Sequence, residues 1–127
     1  MSKHKRIPKE TRLKVYQKYD AHCAYCGCDL EYKDMQVDHL EPIYLYETSY
    51  ESGEAGFLDD IDNLMPSCRM CNFYKSTFTL NGFRERLQTI KQRLEKDFTY
   101  RIARRYGIIK EDDTQIKFYF ERIEVTK

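Results

Sequence analysis

The chain has 127 residues, 41% hydrophobic and 34% charged, with five cysteines, no tryptophan and a formal net charge of +1. The length fits a single domain over residues 1–127, since domains commonly run to ~100–200 residues, and the apolar fraction is too high for a disordered chain. No stretch approaches the ~20 consecutive apolar residues of a membrane span, and no apolar run follows the basic start, so an intracellular, cytoplasmic protein with no membrane partner is expected.

The small net charge conceals segregation. Residues 1–18 carry seven Lys or Arg against Glu10 alone, residues 19–62 carry twelve Asp or Glu against Lys33 alone, and residues 63–110 carry eleven basic against three acidic side chains. Two basic arms thus flank an acidic middle, which points to a polyanionic partner, although solvated helix faces alone produce similar blocks.

In chain order, His4 lies in the basic N-terminal tail and carries no signal. Residues 9–19 read as a short helix with Leu13, Tyr16 and Tyr19 toward the core and Lys14 and Lys18 outward. It leads into Cys23 and Cys26, the first of two Cys-x-x-Cys pairs; the second is Cys68 and Cys71. Two such pairs can turn four sulfurs toward one ion, the closed tetrahedral set of structural zinc, whereas a disulfide framework fits an odd cysteine count in a reducing compartment poorly, and no thioredoxin-like pattern surrounds either pair to make it a redox site. Cys28 is left over as a free thiol beside the first pair, and His22 reads as a partly exposed side chain. Met35, Gln36 and Val37 read as a strand running into Asp38 and His39 and limited by Pro42. Residues 40–62 form a long acidic connection with a flexible point at 52–56; connections this long are uncommon without short elements of their own. The chain then returns to the second cysteine pair, with a helix starting near Arg69.

Beyond the cysteines, Leu80, Phe83, Leu87, Ile90 and Leu94 recur at spacings of three and four, which predicts a helix with one apolar stripe. A second helix follows with Phe98, Ile102 and Tyr106 on one face, stopped at Gly107. Ile116, Phe118 and Phe120 alternate with polar neighbours, which predicts a final strand. Arg84, Arg86, Arg101, Arg104 and Arg105 on these helices are candidates for phosphate contact, against the reading that they are a solvated face.

The order Cys23, Cys26 and Gly27, then Val37, Asp38 and His39, then Asp62, Asn63 and Leu64, then Cys68, Cys71 and Asn72, then Lys75 resembles the HNH endonuclease family. The match spans roughly residues 12–87, with 88–127 as a helical and strand extension. The resemblance implies an α+β fold: a small zinc-stapled ββα-metal core with an N-terminal helix, C-terminal helices and the final β-strand. It also implies the roles. His39 acts as the general base, for which an imidazole with a pKa near ~6.5 is suited. Asp38 and the Asn72 carbonyl, both hard oxygen donors, hold one Mg²⁺ or Mn²⁺. Asn63 bonds backbone across the loop, and Lys75, three residues beyond Asn72, contacts phosphate or the transition state. Asn72 stands where the family name has histidine, which bears on metal preference.

The expected function is therefore a metal-dependent endonuclease acting on DNA, double-stranded in the first instance, with structural zinc. The alternatives are a non-catalytic zinc module that binds DNA or RNA, and a zinc-stapled protein-interaction domain. The sequence leaves open whether one protomer nicks or a homodimer cuts both strands, since one site handles one strand at a time.

Overall fold

A computed structural model describes residues 6–125, and His4 lies outside them. The chain divides into two compact units, one formed by the residues up to Leu80 and from Lys117 onward, the other by Asn81–Ile116. No helix among the described residues is long and apolar enough to cross a membrane.

In the first unit, helix α1 (Lys9–Lys18) buries Val15, while Leu13, expected in the core, is 46% exposed. The backbone leaves the helix through Asp20 and Ala21, both at positive φ. Strand β1 (Gln36–His39) pairs antiparallel with β2 (Leu64–Ser67), placing Asp38 opposite Met65 and His39 opposite Leu64. Both strands are edges, which is why β2 tolerates Pro66: it has no N–H to give, but its carbonyl accepts from Ala24 N at 2.8 Å. Helix α2 (Glu47–Ser52) lies in the long acidic connection, between 3₁₀ turns at Ile43–Tyr46 and Gly56–Asp59. Residues 52–56 do not form a bare flexible loop. Gly53 closes α2 at φ +92°, and Ala55 is buried in a satellite core with Ile43, Tyr50 and Leu58.

Two basic residues of α1 face inward. Arg12 Nη2 donates to the carbonyls of Tyr32 and Met35 at 2.8 and 2.9 Å. Lys18, expected to point outward, instead donates to the carbonyls of Ile61 and Leu64 at 2.7 and 3.1 Å, tying the helix to the start of β2. Buried backbone carbonyls need donors, and a long cationic side chain can reach them while its stem covers apolar surface.

Helix α3 (Arg69–Lys75) follows β2 and completes a ββα arrangement. The predicted final strand is absent: residues 119–125 form helix α7 (Tyr119–Val125). Glu121 explains the change, because its Oε1 accepts from Phe118 N at 2.9 Å and satisfies a donor at the helix start. Phe118 and Phe120 are nonetheless both buried, with ring centroids 5.5 and 6.3 Å from Tyr25.

In the second unit the predicted single helix is two, α4 (Leu80–Gln88) and α5 (Ile90–Leu94), interrupted at Thr89. Phe83 is buried but Leu94 is 38% exposed. Helix α6 (Phe98–Arg105) is capped by the Asp97 carboxylate on Tyr100 N at 3.1 Å and ends before Gly107, at φ +73°. Its apolar face is open, with Phe98 and Tyr106 exposed.

Candidate active site

The zinc-type site is built by two local turns. After Cys26 the chain turns back at Gly27, whose φ of +82° and N–H bond to the Cys23 carbonyl at 3.0 Å define the first knuckle. A Cβ there would also lie 2.8 Å from the Tyr119 ring, so both conformation and space require glycine. The second pair opens α3: Cys68 is the cap, its sulfur accepting from Cys71 N at 3.3 Å. The sulfurs of Cys23, Cys26, Cys68 and Cys71 lie within 4.8 Å of one another, and those of Cys26 and Cys68 are 3.8 Å apart. Tetrahedral zinc with Zn–S of ~2.3 Å requires sulfurs about 3.8 Å apart, so the set fits the ion. The Cys71 thiol bonds to the Cys23 sulfur, which holds Cys23 down to about 4 and pushes Cys71 up.

Cys28 and His22 fall outside this group. Cys28 is exposed, and desolvation pushes its thiol up to about 12; His22 faces Asp29, Nε2 to Oδ1, at 3.1 Å.

Asp38 and His39 are the last two residues of β1, and their side chains engage opposite sides. Asp38 is nearly buried; its Oδ2 accepts from the Tyr25 hydroxyl and faces Lys75 Nζ at 3.0 Å. Burial raises the Asp38 pKa, opposed by the Lys75 charge and the Tyr25 hydrogen bond. Burial, with Asp38 alongside, pushes the Tyr25 phenol far above its ordinary value, so it stays a donor. Among the described residues Asp38 Oδ1 receives no hydrogen bond, which leaves it as a hard oxygen donor. His39 turns the other way, Nε2 lying 3.0 Å from Asp59 Oδ1.

Asn63 spans the loop. Its Nδ2 donates to the carbonyls of Leu58 and Glu41 at 2.9 and 3.2 Å, and its Oδ1 accepts from Glu41 N at 2.7 Å. Asn72 is half-buried on α3, and among the described residues its side chain makes no hydrogen bond, so its carbonyl oxygen is available to a hard cation. Asp38 and Asn72 each offer a hard oxygen, the donor type that suits Mg²⁺, which keeps most of its waters. Lys75 departs from expectation. It is fully buried, with Nζ bound to Asp38 and to the His39 carbonyl at 3.1 Å, so it has no open path to a phosphate.

The arginine candidates divide. Arg104 is clamped by Glu95 and Glu111, with Nη2 to Glu95 Oε2 at 2.9 Å, and Arg84 Nη1 donates to the Ile116 carbonyl at 2.9 Å. Arg86, Arg101 and Arg105 are exposed.

Sequence reasoning did not single out Tyr25, Tyr50 or Asp59. Tyr25 sits between Cys23 and Cys26, where an aromatic reads as packing. Asp59 is one acid among several in the acidic connection, and only its position four residues before Asn63 marks it.

Residues 23–78 match the family model described as HNH endonuclease. Nucleases of that family use divalent metals, and the cysteine cluster of this chain is consistent with zinc. Comparison with curated proteins and with solved structures gives no significant match.

Proposed function

We propose that the chain, acting as one nuclease domain over residues 1–127, is a metal-dependent endonuclease that hydrolyses phosphodiester bonds of double-stranded DNA. The observation that supports this reading is the end of β1, where Asp38 and His39 adjoin helix α3 through Lys75, on the same helix as Asn72. Asp38 Oδ1 and the Asn72 carbonyl oxygen would hold a divalent cation, which would supply neutralisation of charge developing on the phosphate and the leaving oxygen. His39 takes a proton from water, the resulting hydroxide attacks phosphorus, and the bond from phosphorus to the 3′ oxygen breaks. The leaving 3′ oxygen takes a proton from solvent water, so the products carry 5′-phosphate and 3′-hydroxyl ends. Asn63 holds the loop against the end of β1, and Lys75 and Tyr25 orient the Asp38 carboxylate. Structural zinc in the four-cysteine site joins the two knuckles.

Supercoiled plasmid with Mg²⁺ or Mn²⁺ tests the reading: nicked or linear product from wild type and none from His39→Ala is expected. Equal inertness of both across these metals overturns it. The second reading, a zinc module that binds nucleic acid without cutting it, is favoured by the exposed Arg101 and Arg105 on α6. It predicts salt-sensitive binding that survives His39→Ala with no cleavage by either protein.

A further inference from the structure

We propose that Asp59, held by Tyr50, is a positioning residue that fixes the ring orientation and tautomer of His39. The inference rests on the nuclease reading and names a group outside the motif residues that carry it.

Both oxygens of the Asp59 carboxylate are committed. Oδ1 lies 3.0 Å from His39 Nε2, and Oδ2 accepts from the Tyr50 hydroxyl at 2.8 Å. The chain on either side is anchored: Leu58 is fully buried and Tyr50 is 1% exposed, in the satellite core with Ile43 and Ala55. The Leu58 carbonyl, which belongs to the peptide linking Leu58 to Asp59, accepts from Asn63 Nδ2 at 2.9 Å. A carboxylate fixed in this way differs from a solvated surface acid that meets a histidine by chance. The pair is also substantially shielded, with side-chain exposures of 18% for His39 and 25% for Asp59.

The chemical consequence follows from the imidazole ring. A neutral ring carries one N–H and one lone pair, and an acceptor-only carboxylate at Nε2 places the N–H there. The lone pair then resides on Nδ1, which is the atom that takes the proton from water before passing it to solvent. Without Asp59 the ring can rotate and exchange tautomers, and a fraction of the molecules presents an N–H where a base is needed. The acidic connection is thus a support for the base, folded on its own small core so that a single carboxylate arrives at the end of β1.

The test uses the full zinc-loaded chain. Asp59→Asn keeps the shape of the side chain but offers an amide N–H to Nε2, which favours the opposite tautomer. Nitrogen-15 spectra of the His39 ring, recorded without Mg²⁺, are expected to show the Nε2–H form in wild type and its loss in Asp59→Asn. On supercoiled plasmid with Mg²⁺, kcat is expected to fall about 10–100-fold, the range for partners that orient a functional histidine, with KM unchanged. Tyr50→Phe, which removes only the hydroxyl, is expected to lower kcat more mildly in the same direction. An active wild type, an inactive His39→Ala and an Asp59→Asn with wild-type kcat and an unchanged ring spectrum overturn the role of Asp59 alone. An inert wild type overturns the nuclease reading, and with it the catalytic meaning of this pair.

Discussion

Lys75 Nζ sits 3.0 Å from Asp38 Oδ2, and the lysine is wholly buried. A cation expected to meet phosphate is instead an internal counter-charge, linking the helix that begins at the second cysteine pair to the end of β1. Lys75→Met therefore leaves the Asp38 carboxylate buried and unpaired. Removing one partner of a buried pair costs ~3–5 kcal/mol, so a loss of that size is expected in denaturant unfolding with zinc present. A phosphate-contacting lysine would lower activity and leave unfolding unchanged.

The cysteine set makes a sharper demand. Cys68→Ser removes a sulfur from the cysteine cluster and the cap of α3 together. Structural zinc contributes folding energy outright, so the variant is expected to lose cooperative unfolding, and a chelator is expected to do the same to wild type. Elemental analysis of freshly purified protein should find about one zinc per chain.

Asn63 makes three hydrogen bonds to backbone across its loop. Asn63→Ala leaves these groups without partners, each such loss costing ~1–3 kcal/mol where the group is buried. Asn63→Asp is the more telling variant. It keeps the acceptor for Glu41 N but turns a carboxylate oxygen toward the carbonyls of Leu58 and Glu41. Denaturant midpoints should therefore place Asp below Asn, and not above Ala.

For nucleic-acid binding, Arg101 and Arg105 are free to meet phosphates while Arg104 is committed to Glu95 and Glu111. Arg101→Ala and Arg105→Ala should each reduce the slope of log affinity against log salt by about 1. Arg104→Ala should leave that slope unchanged, as read by fluorescence anisotropy of a labelled duplex across a salt series.

The same cluster has a pH signature. Arg104, with smaller help from Tyr100 and Lys91, holds Glu111 down to about 2. A depressed carboxylate pKa contributes stability above the ordinary carboxylate range, and that contribution is lost as pH falls through the folded-state value. Carbon-13 spectra of the Glu111 carboxyl should show no protonation between pH 7 and 4.5 in wild type. In Arg104→Ala the titration should begin within that window.

The elements that depend on neighbours in sequence were legible before any fold was known. The cysteine knuckles, α1, the strand through Asp38 and His39, and the helix from Arg69 all follow from short spacings and turn residues. The last segment misled for a local reason: Phe118 and Phe120 do both bury, but the Glu121 carboxylate closes a helix start where alternation alone predicts a strand. The break at Thr89 likewise leaves no mark in the apolar spacing, because the residues on either side keep the helical period.

The sequence by itself determined the two Cys-x-x-Cys pairs and the order of the motif residues that the HNH endonuclease model matches, because a cysteine pair or a motif is a matter of residue type and interval. Only the tertiary structure decided which charges face one another. It turned Lys18 and Lys75 inward, bound Arg104 to two glutamates, and brought Asp59 out of an acidic run to His39. Charge has no periodicity that reveals its partner. A cation's role is fixed by what burial places within a few ångströms, and here that was set by packing between segments distant in the chain.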